Sequence, residues 1–148
     1  MGPINRITAA AAALALLDAC LPAFSCDNAA CIDGAEIVLP YTAPMASLEG
    51  GRVHVCRGDV CSDAVTGAVT FQFSVNDLEI TSAFFQDSTL RMTVPSAGKP
   101  LGDGDVYTVE LRDNAGTVVA SKQWVAVYQD LDPNGEDCGP HCRFAHLE

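Results

Sequence analysis

The sequence predicts an all-β protein, a single antiparallel β-sandwich of about 7 to 8 strands that follows an N-terminal signal peptide. Several segments alternate apolar and polar residues with a period of two, as expected of strands with one buried face. Turn-forming residues separate these segments at short intervals. Many short alternating strands with frequent turns are typical of two packed sheets.

The strands are predicted from this alternation. It is clearest at residues 69–75, 89–94 and 107–112, where valine, leucine, phenylalanine, tyrosine or methionine alternates with polar side chains. Weaker patterns predict strands at residues 36–39, 52–57, 78–85, 117–128 and 143–147, the fourth of them either continuous or broken near Ser121. Glycine, proline, asparagine and aspartate between these segments mark the turns.

The N-terminal segment predicts export. Residues 1–6 carry one positive side chain, and residues 7–17 are apolar but too short to span a hydrocarbon core about 30 Å thick. This pattern predicts a signal peptide at 1–19. A short tether at 20–33 and a sandwich domain at 34–148, with a disulfide-pinned C-terminal tail, would follow it.

The tetrapeptide Leu17-Asp18-Ala19-Cys20 resembles the lipobox of bacterial lipoproteins. The resemblance implies acylation of Cys20 and a lipid-anchored protein of the bacterial cell envelope, at the outer membrane or in the periplasm. Asp18 departs from the pattern, which usually has a small uncharged residue there. The alternative is cleavage after Ser25, which would remove Cys20 and give a secreted soluble protein.

Six further cysteines are expected to form three disulfides in an oxidising compartment. They occur as close pairs, so local pairing is the simplest prediction: Cys26 with Cys31, Cys56 with Cys61, and Cys138 with Cys142. The middle pair has the strongest support, because a Gly58-Asp59 turn would place its cysteines opposite each other at a non-hydrogen-bonded site of a hairpin.

Composition and charge exclude some partners. A formal net charge of -11 and a pI near 4.4 argue against a nucleic-acid ligand, which requires a basic surface. No recognisable nucleophile motif is present, and the few histidines offer little for acid–base chemistry. The sequence therefore predicts a protein that is not an enzyme and has no required cofactor.

A calcium loop is the main alternative. Asp130, Asp132 and Asn134, followed by Gly135, match the opening of a calcium-binding loop, in which alternate oxygens converge on the cation. The twelfth position is His141 instead of a bidentate glutamate. The simpler interpretation is a plain turn with solvated aspartates, and the alternative function is a calcium-dependent adhesion module that uses residues 130–137.

Two resemblances bear on fold and location. The segment GDVYTVELRDNAGTVV, residues 104–119, resembles the penultimate hairpin of immunoglobulin-like and fibronectin type III-like domains, which implies that architecture. The cysteine pair at 56 and 61, the YTVEL strand and the ending PNGEDCGPHC are similar to small cysteine-rich secreted lipoproteins of soil bacteria such as myxobacteria. That likeness implies membrane anchoring through the acylated cysteine and an unknown envelope protein or glycan as partner.

Overall fold

A computed structural model of the chain describes residues 30–67, the backbone of 71–73, and residues 78–148. These residues form two five-stranded sheets and one helical turn, α1 (Met45–Leu48). The first sheet has the order β5-β6-β1-β10-β9, and its strands are β1 (Gly34–Pro40), β5 (Ser82–Gln86), β6 (Thr89–Pro95), β9 (Gln129–Leu131) and β10 (Cys142–Leu147). The second has the order β4-β3-β2-β7-β8, and its strands are β2 (Arg52–Arg57), β3 (Val60–Thr66), β4 (Phe71–Phe73), β7 (Val106–Arg112) and β8 (Val118–Val125).

The core lies between the two sheets. Alternate residues of each central strand point inward and are fully or almost fully buried, which explains the period of two in the sequence. From the first sheet these include Ile37, Leu39, Leu90, Met92 and Val94, and from the second Val53, Val55, Tyr107, Val109 and Leu111. The predicted all-β sandwich is therefore confirmed.

Two details of the predicted sandwich are wrong. The described residues contain ten strands instead of seven or eight. The first sheet is also mixed and not purely antiparallel, because β10 pairs with β1 in parallel, with Gly34 opposite Phe144. All other strand pairs are antiparallel.

Several predicted strand boundaries shift. Only residues 71–73 of the predicted strand at 69–75 are described, because Val69 and Val75 lie outside the described residues. The strand predicted at 78–85 begins at Ser82, and Leu78 is instead buried in the loop before it. The segment predicted at 117–128 runs unbroken through Ser121 and ends at Val125, after which β9 starts a new strand in the other sheet.

Two described disulfides hold the sandwich, and one of them corrects the predicted pairing. Cys56 bonds Cys61 across the β2–β3 hairpin, as predicted, but Cys31 bonds Cys142. The predicted local pairs Cys26–Cys31 and Cys138–Cys142 are therefore wrong. Cys138 is also disulfide-bonded, and Cys26 lies outside the described residues, as does Cys20.

The parallel pairing of β1 and β10 explains the long-range disulfide. Gly34 lies opposite Phe144, so the same register continued backwards brings Cys31 next to the start of β10, where Cys142 lies. On a chain-entropy estimate, closing a loop with this sequence separation of 111 stabilises by about 5 kcal/mol, against about 2 kcal/mol for the separation of 5 between Cys56 and Cys61. Of the two described bridges, Cys31–Cys142 is thus the stronger covalent stabiliser.

Among the described residues, no helix has both the length and the apolar character needed to cross a bilayer.

Candidate functional site

Most of the polar side-chain contacts described below lie at one end of the sandwich. The β2–β3 turn, the loop between β6 and β7, the segment after β8 and the start of β10 all lie there. We call this the loop end. Its loops are polar and rich in glycine and proline, so the chain leaves the sheets at this point and its side chains are free to form a site.

A hydrogen-bond network lies inside the loop end. We call it the buried network because its tyrosine hydroxyl pair is buried, while its bonds to Asp105 are partly buried. Arg57, the last residue of β2, donates from Nε and Nη2 to Asp105 Oδ2, at 3.0 and 2.6 Å. Tyr128 donates its hydroxyl to the same oxygen at 3.0 Å, and the Tyr107 hydroxyl lies 2.8 Å from that of Tyr128. Because Tyr128 gives its only proton to the carboxylate, Tyr107 must be the donor in the tyrosine pair.

The network shifts the acid–base properties of its members. Burial alone would raise the pKa of Asp105, but hydrogen bonds from Arg57, Tyr128 and the Gly102 amide outweigh it and hold that pKa below its ordinary value. Burial, together with the hydrogen bond that Tyr128 donates to the Asp105 carboxylate, raises the pKa of Tyr128 far above the ordinary tyrosine value. Burial also raises the pKa of Tyr107. The network is therefore one carboxylate, one guanidinium and two neutral phenols, a stable arrangement rather than a proton-transfer site.

A groove of about 570 Å³, the end groove, lies beside this network. Four separate segments line it, and their members include Asp33, Lys99, Leu101, Asp130 and Arg143. The volume is within the range of ordinary ligand pockets. Its lining contains basic and acidic side chains together with apolar Pro100 and Leu101, so the groove suits a ligand that carries charges of both signs.

Arg143 fixes the geometry of the groove. Its Nη1 donates to Leu101 O at 3.0 Å, its Nε lies 3.4 Å from Asp130 Oδ1, and its guanidinium stacks over the Tyr128 ring with 5.6 Å to the centroid. Its backbone amide donates to Asp33 Oδ1 at 2.7 Å. Through its side chain and its backbone amide, Arg143 therefore joins the groove wall, both acidic segments and the buried network.

A second cavity, of about 420 Å³, lies on the other side of the 96–100 loop and includes Arg57, Leu78, Glu79 and Asp105. Arg57 belongs to the tripeptide Arg57-Gly58-Asp59, yet its side chain is only 11% exposed and is held by Asp105. This arginine is a structural residue of the loop end, and its contacts do not resemble those of an exposed adhesion motif.

The residues predicted to bind calcium each make another contact. Asp130 faces Arg143, Asp132 Oδ1 lies 2.5 Å from His141 Nδ1, and Asn134 donates its amide nitrogen to Gly139 O at 3.0 Å. The Gly135 amide donates to Asp132 O at 2.9 Å, which forms a tight turn. The segment has the geometry of the plain turn that the sequence also allowed.

A third cluster lies on the outer face of the second sheet. His54 Nδ1 is 2.9 Å from Asp63 Oδ1, and His54 Nε2 is 3.1 Å from Cys56 Sγ. The ligand-type atoms of His54, Cys56 and Cys61 lie within 4.8 Å of one another. Because the two sulfur atoms are joined in a disulfide, they are not the thiolates that a metal site requires.

Comparisons with protein-family models, with curated proteins and with solved structures each find no match to this chain.

Sequence reasoning missed the buried network and the end groove. The sequence predicts that Tyr107 starts an alternating strand. Asp105, however, lies in a segment, GDGD, whose composition indicates only a turn. Arg57 was placed in a hairpin. The contacts among these residues depend on how the two sheets pack, which the local pattern does not specify.

Proposed function

We propose that this chain is an exported, lipid-anchored, non-enzymatic binding module of the bacterial envelope, with an immunoglobulin-like sandwich and the end groove as its ligand site. The observation that carries the proposal is the end groove itself, a pocket-sized cavity built from four chain segments and supported by a buried network. In immunoglobulin-like domains, loops clustered at one end of the sandwich form the binding surface.

The strand order supports the immunoglobulin-like assignment. The order β5-β6-β1 corresponds to strands D, E and B, and β4-β3-β2-β7-β8 corresponds to C″, C′, C, F and G. Tyr107 is the second residue of β7, the F-strand equivalent, near whose start such domains have a structural tyrosine. The position of strand A is taken by β10, which runs parallel to β1. We therefore regard the domain as a variant in which the C-terminal strand replaces strand A.

The tether supports a ligand close to the membrane. Cys31 is bonded to Cys142, which lines the end groove. Eleven peptide steps separate Cys20 from Cys31 in the sequence, and a fully extended chain of that length reaches about 40 Å. An anchor at Cys20 would keep the end groove within about that distance of the lipid surface.

The charges of the groove favour an envelope polymer with both carboxylate and ammonium groups. Lys99 and Arg143 lie among Asp33, Asp130 and Asp132. Peptidoglycan, whose stem peptides carry charges of both signs next to sugars, has this chemistry and lies near the membrane. We therefore take peptidoglycan as the ligand class.

Two experiments test this function. The first is intact-mass analysis of the membrane fraction, where the wild type should carry acyl chains and Cys20→Ser should be unmodified and leave the membrane. A wild-type mass without acyl chains would contradict the anchor.

The second is co-sedimentation of the purified domain with insoluble peptidoglycan sacculi. Asp130→Lys should reduce the bound fraction severalfold, because it places a second cation beside Arg143. Glu49→Lys, with the same change of charge at an exposed residue of the opposite end, is the matched control and should bind like the wild type. Absence of binding, or equal losses in both variants, would refute the end groove as a peptidoglycan site.

A further inference from the structure

The outer face of the β2–β3 hairpin brings four side chains of redox and acid–base chemistry together. Cys56 lies opposite Cys61, and His54 lies opposite Asp63. Because side chains alternate along a strand, residues two apart share a face, so all four project from the same surface. They form a short row: carboxylate, imidazole, sulfur, sulfur.

In both contacts within this row, the atom that faces the His54 ring is a hydrogen-bond acceptor. Asp63 Oδ1 lies 2.9 Å from His54 Nδ1, and Cys56 Sγ lies 3.1 Å from His54 Nε2. An ionised carboxylate and a disulfide sulfur have no proton to donate. Both ring nitrogens of His54 therefore face hydrogen-bond acceptors.

The neighbouring strand β7 presents a paired carboxylate and guanidinium beside His54. From β7, Glu110 lies opposite His54 and Thr108 lies opposite Cys56. The Glu110 carboxylate accepts a hydrogen bond from Arg112 Nε at 2.6 Å. His54 thus faces the Asp63 carboxylate directly and, on β7, a Glu110 carboxylate that is already paired with Arg112.

We propose that Cys56–Cys61 is a disulfide that exchanges with external thiols. Cys56 is the leaving group, His54 protonates the thiolate that departs, and Asp63 is the positioning residue for His54. An external thiolate attacks Cys61 Sγ and forms a mixed disulfide with it. The Cys56–Cys61 bond breaks, and its electron pair goes to Cys56 Sγ. That thiolate forms beside His54 and takes a proton from its Nε2. Departure is fastest where the leaving thiolate is stabilised.

A second external thiol completes the exchange. It attacks the external sulfur of the mixed disulfide, and Cys61 leaves as a thiolate and is protonated by solvent. Two external thiols are thereby oxidised to one disulfide, with loss of two electrons and two protons, and Cys56 and Cys61 are reduced to two thiols. The co-reactant class is a small dithiol or a pair of monothiols.

The Cys56–Cys61 disulfide is accessible, and breaking it leaves the sheet intact. The His54 and Asp63 side chains are 44% and 62% exposed, so a small thiol can approach this face. Backbone pairing with β7 and β4 holds β2 and β3 when the disulfide is open. The other described bridge differs, because Cys142 is only 5% exposed.

Reduction by dithiothreitol at pH 7, followed by rapid alkylation and peptide mass spectrometry, tests the proposal, because both disulfides are followed in one sample. We expect Cys56–Cys61 to open at least about tenfold faster than Cys31–Cys142, and His54→Asn to slow only the former, by about tenfold. Asp63→Asn should slow it less and should shift its pH profile.

His146→Asn is the matched control, because His146 also contacts a carboxylate, Glu36 Oε2 at 3.0 Å, but on the other sheet. It should leave both rates unchanged. In reduced wild-type protein, Cys56 should be alkylated faster than Cys61, a readout that requires no variant to fold. Equal opening of the two disulfides, an unchanged rate in His54→Asn, or equal alkylation of the two thiols would overturn the proposal. None of these results depends on whether the end groove binds peptidoglycan.

Discussion

Asp105 is the residue that joins the two sheets at the loop end. It accepts hydrogen bonds from Arg57 at the end of β2 and from Tyr128 in the segment that crosses to β9. Its side chain is 25% exposed and that of Arg57 only 11%, so solvent screens the pair less than it would an open surface pair. Loss of this carboxylate would leave a largely buried guanidinium without its counter-charge.

We therefore expect Asp105→Asn to lower the free energy of unfolding at pH 7 by about 2 kcal/mol. Because folding lowers the pKa of Asp105, its contribution is complete above the unfolded value of about 3.9 and is lost as the pH falls through the lower folded value. The stability difference between wild type and variant, measured by urea unfolding, should thus shrink as the pH falls below about 4. A difference that stays constant to pH 2 would contradict this role.

The contacts of Asp130, Asp132 and Asn134 lead to a prediction about calcium. Arg143 and His141 already face the two carboxylates, and Asn134 presents its amide nitrogen to a carbonyl. A cation would have to displace these contacts. We expect no rise in the melting temperature on addition of millimolar calcium, because a ligand stabilises only when it binds the folded state. A reproducible rise, abolished by Asp132→Asn, would instead support the calcium-dependent module.

At the scale of elements, the parallel pair β1 and β10 decides the covalent structure. The pairing aligns the segments that precede the two strands, and Cys31 meets Cys142. Antiparallel pairing would have placed these cysteines at opposite ends of the sheet. The spacing of cysteines in the sequence contains no information on this choice, which is why local pairing was the wrong prediction.

Thiol counting under denaturing, non-reducing conditions tests the pairing. The double variant Cys31→Ser/Cys142→Ser should contain no more free thiol than the wild type, because it removes both members of one disulfide. Each single variant should expose one additional thiol. Local pairing predicts the opposite result for the double variant, two additional thiols, from Cys26 and Cys138.

The elements also differ in how well their own sequence specified them. β6 and β7 were predictable because each alternates large apolar with polar residues and is buried on one face only. β3 buries Ser62, Ala64 and Thr66, small or polar residues that give no apolar period. The buried Thr66 hydroxyl has a hydrogen-bond partner there, because it donates to Leu48 O in another part of the chain. β9 is fully exposed and is a strand only because β10 lies beside it.

At the scale of the whole molecule, the acidic composition and the groove have different consequences. A net charge of -11 repels anionic surfaces and nucleic acids at long range. This repulsion follows from the composition and does not depend on the fold. The groove acts at short range, where Lys99 and Arg143 provide local positive charge within an acidic protein. Such a surface would discriminate against purely anionic ligands, which agrees with the proposal of a ligand with charges of both signs.

The sequence by itself determined the all-β class, the central strands and the Cys56–Cys61 hairpin, because these follow from local alternation and turn chemistry. The tertiary structure decided the parallel β1–β10 pair, the Cys31–Cys142 bridge, the Asp105 network and the end groove. Each of these joins residues that are distant in the chain, and their contacts depend on which strands become neighbours. Local pattern constrains each strand, but only the packing of the two sheets selects those neighbours.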